Sequence, residues 1–293
     1  MLNKMMSNPD VFMGCECSYE DAQIVMFSAP YDGTTSFRPG TRFAGKAIRT
    51  DSFGIESYSP SQNMDLYDLS IMDAGDLELP FGNTARVLDA IESQVSRIIG
   101  DNKKPFMIGG EHLVTLGAVR AMVKKYPDLH IFHLDAHADL RDDYLGEKYS
   151  HATVMRRIWD IIGDGRIYQA GIRSGERDEF EFAKSHTMMH RFDLDVDAII
   201  WNEEYFGRLR GKPLYLSLDL DVLDPSVFPG TGTPEPGGVS FQDLHKIILM
   251  LKVLTDLNVV GCDVCELSPH YDSSGISTAA ACKIIREILM VML

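Results

Sequence analysis

The clearest indication of the fold of this 293-residue chain is HIFHLDAHADL at His130–Leu140. Its first part, His130–Leu134, is a short, largely apolar run with the length and composition of a buried β-strand. The next five residues alternate charged side chains with alanine. Side chains two positions apart share a face in extended chain, so we expect Asp135, His137 and Asp139 to project together from the end of this strand.

Short β-rich runs alternate with longer helical patterns on both sides of this stretch. The predicted strands are Ile24–Ser28, Pro105–Ile108, His130–Leu134, Arg166–Ala170, Leu214–Leu218 and Val259–Val264, with weaker candidates near Asp68–Asp73 and Met188–Phe192. The predicted helices are Thr84–Ile99, Leu113–Lys125, Thr153–Ile162, Asp195–Leu209, Phe241–Leu257 and Ser277–Met292. This alternation predicts an α/β fold, a parallel sheet with helices on both faces. No linker-like stretch divides the chain, so we expect one domain over residues 1–293, with an irregular arm at residues 1–20.

The charge balance excludes several classes of partner. Acidic residues outnumber basic residues by 43 to 28, a formal net charge of −15. Such a chain repels phosphate backbones and anionic lipid, so we expect neither nucleic acid nor membrane partners, whereas a cationic small molecule or a metal ion is compatible. Five cysteines are too few for a secreted disulfide scaffold. The N-terminus lacks a signal-peptide pattern and no apolar run approaches about 20 residues, so we expect a cytoplasmic protein.

Two further strand ends carry residues of the metal-ligand type. Asp219 and Asp221 follow the strand Leu214–Leu218, and His112 follows the strand Pro105–Ile108 after two glycines. Ligands of open parallel sheets bind beyond the carboxyl ends of strands, so we expect these places to converge. Four converging carboxylates need cations to offset their repulsion and desolvation. Two imidazoles and four carboxylates without a thiolate suit manganese or a related divalent ion, and six donors can hold two ions if carboxylates bridge.

Some of these candidate motifs, taken alone, also fit a purely structural role. His112 fits a histidine at a helix start, and Asp219 with Asp221 fits a turn or a cap. Cys262 and Cys265 form a C-x-x-C pair, but they fall on a predicted strand, where residues three apart face opposite sides, so we expect no redox or zinc site there. The coincidence of three charged strand ends favours the metal interpretation.

Three strings resemble the metal-binding motifs of the ureohydrolases, the arginase and agmatinase family: GGEH at Gly109–His112, LDAHADL at Leu134–Leu140 and SLDLDVLDPS at Ser217–Ser226. The resemblance continues through FRPGTRFAGKAIR at Phe37–Arg49, SHAT at Ser150–Thr153, GIRS at Gly171–Ser174, PGTGTPEPGG at Pro229–Gly238 and CELSPHYD at Cys265–Asp272. It covers nearly the whole chain after residue 20, and it implies a three-layer α/β/α fold with an eight-stranded parallel sheet.

The resemblance also implies a centre of two manganese ions per chain. The implied ligands of one ion are His112, Asp135, Asp139 and Asp219, and those of the other are Asp135, His137, Asp219 and Asp221, so that Asp135 and Asp219 bridge. Two cations on one water would supply a bridging hydroxide near neutral pH to attack a guanidinium carbon.

The family pattern further implies the catalytic and substrate-binding residues. Asp139 would orient the hydroxide, His151 would carry a proton to the leaving amine, and Glu266 would bind the guanidinium group of the substrate. Members of this family usually form trimers or hexamers, so the resemblance implies a homo-oligomer.

The loop Leu140–Tyr149 bears on the choice of guanidino substrate. Arginases carry an Asn and Ser pattern here that reads the α-carboxylate and α-amino groups of arginine, and Arg141 occupies the Asn position. The FRPGTRF, GIRS and CELSPHYD strings most resemble those of agmatinases, which release urea and putrescine from agmatine. Acidic residues of the loop could receive the distal ammonium of agmatine or could simply be solvated. The alternatives are hydrolysis of guanidinobutyrate, guanidinopropionate or arginine, a zinc amide deacetylase, and a binding protein without turnover.

Overall fold

The computed structural model describes residues 10–190, 207–253 and 256–293. Within these ranges the strands, in chain order, are β1 Ile24–Ala29, β2 Tyr58–Ser59, β3 Met64–Asp65, β4 Ile71–Asp76, β5 Lys104–Gly109, β6 His130–Leu134, β7 Ile167–Ala170, β8 Met188–His190, β9 Pro213–Asp219 and β10 Asn258–Cys265. The α-helices are α1 Ala44–Ser52, α2 Thr84–Gly100, α3 Val114–Lys125, α4 Val154–Ile162, α5 Arg177–His186, α6 Phe241–Val253 and α7 Ile276–Val291.

Eight of these strands form one sheet in the order β4-β1-β5-β10-β9-β6-β7-β8, while β2 and β3 pair separately. Every neighbouring pair in the large sheet is parallel. The predicted eight-stranded parallel sheet is therefore confirmed. Because all eight strands run the same way, their carboxyl ends open on one edge, with β5, β10, β9 and β6 adjacent at its centre.

Alternate side chains of each strand enter two separate hydrophobic cores, one on each face of the sheet. On β9, Leu216 packs with Ile48 of α1 and Ile285 of α7, whereas the neighbouring Tyr215 packs into the core of the opposite face. That second core is built by α2, α3 and α4. Strands buried on both faces read as continuous apolar runs rather than as alternating ones, which is why the sequence identified the central strands.

Two helices escaped the sequence analysis because neither carries a strong apolar stripe. Helix α1, AGKAIRTDS, buries one large aliphatic side chain, Ile48. Helix α5, RDEFEFAKSH, is mostly charged or polar. The predicted helix Asp195–Leu209 lies outside the described residues except for its last three, which form a short 3-10 turn.

The remaining differences lie at the edges of the chain and of the sheet. Strand β4 begins at Ile71, three residues later than the Asp68 expected, because Asp65 caps a 3-10 turn over Leu66–Asp68. Residues 10–20 of the predicted arm carry no helix or strand, yet Phe12 is fully buried. None of the helices in the described ranges is both long and apolar enough to cross a lipid bilayer.

Candidate metal centre

The register of the central strands brings the predicted ligands to one place. Leu134 at the end of β6 pairs with Leu218 on β9, and Cys265 at the end of β10 pairs with Asp219. Ile108 near the end of β5 pairs with Val264. The side chains that follow these positions therefore start level with one another. The structure brings together all six predicted ligands: His112, Asp135, His137, Asp139, Asp219 and Asp221.

His112 lies at the centre of the first group. Its Nδ1 is 3.0 Å from Asp135 Oδ2 and 3.3 Å from the Oδ2 atoms of Asp139 and Asp219. This nitrogen is buried and makes no hydrogen bond. At the other end of the ring, Nε2 lies 2.9 Å from Ser217 Oγ, whose proton is donated to Asp263 Oδ1.

The bonding of Ser217 sets the tautomer of His112. Because the hydroxyl of Ser217 donates its hydrogen bond to Asp263, its oxygen accepts a hydrogen bond from His112 Nε2–H. In this neutral tautomer Nδ1 keeps a lone pair. A lone pair facing three carboxylate oxygens is repulsive unless a proton or a metal ion lies among them. The donor set of this first group therefore fits a metal ion.

The second group shares Asp135 with the first. His137 Nδ1 lies 3.1 Å from Asp221 Oδ2 and 3.5 Å from Asp135 Oδ1. Asp135 thus turns one carboxylate oxygen to each histidine, as the bridging position expected of it requires. Asp139 adopts a left-handed backbone conformation, φ 54°, that aspartate tolerates but rarely uses. This conformation returns the chain toward the first group.

His133 was missed by the sequence analysis, although its ring also lies among the possible ligands of the first group. Gln169 is oriented by Ala138 O, which accepts from its Nε2, and by Thr187 Oγ1, which donates to its Oε1. Gln169 Nε2 therefore donates to His133 Nδ1, and His133 Nε2 donates to Asp135 Oδ2 at 2.8 Å. Both ring nitrogens are committed, so His133 orients a ligand rather than serving as one. Extending the two-residue alternation one step upstream of Asp135 would have found it.

The electrostatics show a site that is short of positive charge. Burial, reinforced by neighbouring carboxylates, raises the pKa of Asp139 to about 7 and raises the pKa of Asp219 well above its usual value. Burial alone would lower the pKa of His112, but the carboxylates around it outweigh burial and raise it. The cluster would thus bind protons where no cation is bound, which is the behaviour of a ligand set built for metal.

The same shifts predict how the stability of the metal-free protein depends on pH. Because the folded-state pKa of Asp139 is raised from 3.8 to about 7, its contribution is fully present below about pH 4 and is lost as pH rises through 7. The raised pKa of Asp219 acts in the same direction. We expect the melting temperature of chelator-treated protein to fall between pH 5 and 8, and added manganese to remove most of that fall. Differential scanning fluorimetry with and without chelator measures both; a metal-independent profile would contradict this account.

Glu266 stands beside the cluster at the end of β10. It also adopts a left-handed conformation, φ 67°, which directs its side chain back over the strand ends. Its Oε1 accepts the backbone N–H of His112 at 2.8 Å, and burial with the nearby Glu111 raises its pKa well above the usual range. Within the described residues no lysine or arginine is ion-paired with Glu266, so its buried carboxylate suits a cationic ligand group.

A cavity of about 260 Å³ opens directly above these residues. Its lining includes Asp139, Asp219, Glu266 and His151, together with Arg141 and Tyr144 from the loop after β6. His151 begins a 3-10 turn capped by Ser150, and its Nε2 lies 3.2 Å from Ser36 Oγ. Burial lowers the pKa of His151 to about 4, so its ring is neutral at pH 7. The cavity thus joins the metal cluster, the predicted guanidinium partner and the predicted proton carrier.

The sequence leaves open whether the acidic residues of the loop after β6 face the substrate or the solvent. Asp142 pairs with Arg157 at 2.8 Å, and Asp143 accepts the backbone N–H of Gly146. Arg141 lines the cavity instead, with its guanidinium 4.7 Å from the ring of Tyr144. These side chains could not be assigned to opposite sides of the loop from the sequence, because the loop has no regular period.

Arg173, in the GIRS string, has a supporting role that sequence reasoning did not assign. Its guanidinium donates to the carbonyl oxygens of Asp221, Val222 and Glu235. The arginine therefore fixes the loop that carries Asp221. Thr233, from the same PGTGTPEPGG region, donates to Asp221 Oδ2 at 3.1 Å. The GIRS and PGTGTPEPGG strings therefore support the position of Asp221, although neither string contains a predicted ligand.

Comparisons with known proteins agree with this geometry. The model of the Arginase family matches residues 22–291. An agmatinase of Bacillus anthracis is 44% identical over 281 residues, which cover 96% of this chain and 95% of that protein. A guanidinobutyrase of Pseudomonas aeruginosa is 34% identical, covering 98% of this chain and 91% of that protein. A crystal structure from Clostridium difficile superposes with a TM-score of 0.89 at 50% identity, covering 94% of this chain and 98% of that one.

Proposed function

Since this chain belongs to the arginase family, we propose that it is a ureohydrolase that uses two metal ions to split agmatine into putrescine and urea. The observation that carries the proposal is the buried, unpartnered Nδ1 of His112 facing three carboxylates beneath a cavity that also holds Glu266. The agmatinase relative, aligned over nearly the full length of both chains, supports agmatine as the substrate.

The proposed metal is manganese, with two ions per chain. His112, Asp135, Asp139 and Asp219 would hold one ion, and Asp135, His137, Asp219 and Asp221 the other. Oxygen and imidazole donors without thiolate support this choice of metal. When bound, the two cations would lower the pKa of a shared water enough to supply hydroxide near neutral pH.

The protein groups around the cavity then have separate tasks. Glu266 would hold the planar guanidinium by charge-assisted hydrogen bonds and so fix its carbon over the cluster. His151, neutral at pH 7, would accept a proton at Nε2 and pass it to the nitrogen that leaves as putrescine. A low pKa makes the protonated ring a strong acid, which favours the second transfer. Asp139, at the cavity floor, would orient the attacking oxygen.

The charge of Arg141 would act on the end of the substrate that lies away from the guanidinium. A cation in the cavity wall would repel the distal ammonium of agmatine, but Arg141 is ion-paired to Glu176 at 2.9 Å and lies 3.5 Å from Glu179. Glu179 is buried and fixed by two backbone N–H groups. The two carboxylates more than cancel the charge of Arg141, so this part of the wall is negative and favours a cationic distal group.

Glu176→Gln tests this charge balance. We expect the ratio of kcat/KM for agmatine to that for 4-guanidinobutyrate to fall about tenfold, because this part of the wall loses its net negative charge and no longer favours an ammonium over a carboxylate; tenfold corresponds to about 1.4 kcal/mol. Urea release with both substrates measures the ratio. Glu181→Gln, on the same helix and paired only with Lys184, is the matched control and should leave the ratio unchanged. An unchanged ratio in Glu176→Gln would remove Arg141 from substrate selection.

The second candidate is hydrolysis of guanidinobutyrate, which the guanidinobutyrase relative favours. Urea release from agmatine, arginine and 4-guanidinobutyrate, measured side by side with manganese-loaded protein, separates the two. We expect agmatine to be preferred at least tenfold. Preference for guanidinobutyrate would replace the substrate but keep the chemistry, and no urea from any guanidine at full metal loading would overturn the proposed function.

The predicted homo-oligomer, a trimer or hexamer, and the cytoplasmic location are carried over from the family resemblance and the sequence composition. Size-exclusion chromatography with light scattering measures the first: a mass of three or six chains is expected, and a monomer would contradict it.

A further inference from the structure

Glu111 is a buried carboxyl group that the proposed mechanism does not use. It is fully buried, and it directly precedes the ligand His112. In the part of the chain that the structure describes, its donors come from two consecutive residues: Thr34 N–H donates to Oε2 at 2.8 Å, Thr34 Oγ1 donates to Oε1 at 2.5 Å, and Thr35 Oγ1 donates to Oε2 at 3.3 Å. A buried carboxyl needs such partners. Glu111 therefore anchors the segment 34–36 to the end of β5.

The anchored segment holds His151 in turn. Thr34 Oγ1 accepts the backbone N–H of His151 at 3.1 Å. A hydroxyl carries one proton and can accept at its lone pairs, so Thr34 can donate to Glu111 and accept from His151 at the same time. Two positions along, Ser36 Oγ lies 3.2 Å from Nε2 of the same ring. His151 is thus fixed at its backbone and at its ring by a segment 115 or more positions away in the chain.

We propose that Thr34 is a positioning residue that, held by Glu111, places His151 for proton transfer; the inference rests on the proton-carrying role given to His151 above. A group that moves a proton must lie within hydrogen-bond reach of its target, and a misplacement of about 1 Å can cost about 100-fold in rate. His151 begins a three-residue turn that leads into α4; the side-chain cap at Ser150 and the Thr34 hydroxyl hold its backbone, and Ser36 contacts its ring.

Thr34→Val removes the hydroxyl and keeps the shape of the side chain. We expect kcat for agmatine to fall about 10- to 100-fold, with KM within about twofold and manganese content unchanged. Thr34→Ser, which keeps the hydroxyl, should restore most of kcat. Thr35→Val is the matched control, because Thr35 donates to the same carboxyl, whereas the hydrogen bonds recorded for His151 go to Thr34, Ser36 and Ser150. It should leave kcat within about twofold.

A double-mutant cycle separates positioning of His151 from a general structural effect. In a His151→Asn background, Thr34→Val should cost little more, because the group it positions is already gone. An equal loss in both backgrounds, an unchanged kcat in Thr34→Val alone, or a loss of manganese would overturn the inference. Full kcat in His151→Asn would contradict the proton-carrying role itself and the inference with it, whereas no urea from the wild type would contradict the proposed function.

Hydrogen exchange gives a readout that needs neither activity nor metal. In chelator-treated protein, the His151 amide should exchange faster in Thr34→Val than in wild type, and Thr35→Val should match wild type. Exchange that is equally slow in all three proteins would show that the Thr34 hydroxyl does not hold this turn.

Discussion

Asp219→Asn is expected to abolish nearly all urea release and, at the same time, to raise the melting temperature of the metal-free protein. Asn keeps the oxygen that accepts the backbone N–H of Asp221, so the loop geometry survives. It loses the carboxylate oxygen that faces His112 Nδ1 and would hold the cations, and a loss of about 3–5 kcal/mol of transition-state stabilisation corresponds to roughly 10²–10⁴ in rate. The raised pKa of Asp219 means that its charge is unfavourable in the metal-free fold, which explains the stabilisation.

Asp224→Asn provides the opposite pattern as a control. Asp224 lies three residues beyond Asp221, outside the ligand set, and hydrogen bonds from Ser226 lower its pKa to about 2. Its replacement should therefore reduce stability at pH 7 while manganese content and kcat stay near wild type. Scanning fluorimetry and metal analysis, each with and without chelator, follow both variants. A less stable metal-free Asp219→Asn, or one that keeps two manganese ions, would contradict its role as a bridging ligand.

Glu266→Gln is expected to lower kcat/KM for agmatine by roughly 10²–10³ while manganese content stays at two per chain. The amide oxygen can still accept the backbone N–H of His112, so the scaffold around the first ligand is preserved. The lost property is the negative charge, which the proposed guanidinium contact needs. Steady-state urea release with metal analysis of the same sample measures both quantities.

Two variants frame this result. Glu266→Asp keeps the charge but withdraws it by one methylene, so an intermediate loss is expected. Glu147→Gln removes an exposed carboxylate from the loop after β6 and should leave kcat/KM and the manganese content unchanged. A loss of manganese in Glu266→Gln would make Glu266 a part of the metal scaffold, and an unchanged kcat/KM would remove it from substrate binding.

The sheet and the convergence of the candidate metal ligands could be predicted because both depend on short-range sequence pattern. An apolar run such as Leu214–Leu218 marks a strand buried on both faces, and charged residues that follow it fall at a carboxyl end whatever the rest of the chain does. Adjacent strands in register then bring Asp219 level with the other ligands. Convergence of the ligands follows from topology alone.

The supporting contacts could not be predicted because they join distant parts of the chain. Glu111 and Thr34 lie 77 positions apart, and the hydroxyl of Thr34 reads in sequence as part of an ordinary polar turn. Arg141 illustrates a second limit: its charge was visible, but its cancellation by Glu176 and Glu179 depends on a helix, α5, whose weak apolar stripe hid it. Pairings between loops carry no period that a sequence can show.

The most direct test of the proposed two-metal hydrolysis is to measure urea release from agmatine against the number of manganese ions bound per chain. Protein stripped by chelator and reloaded stepwise should release no urea at zero equivalents and reach its full rate as the second ion binds. The reason is that the two oxygens of Asp135 face His112 and His137, the histidines that would each hold one ion. Full activity in metal-free protein, or no urea with both sites filled, would contradict it.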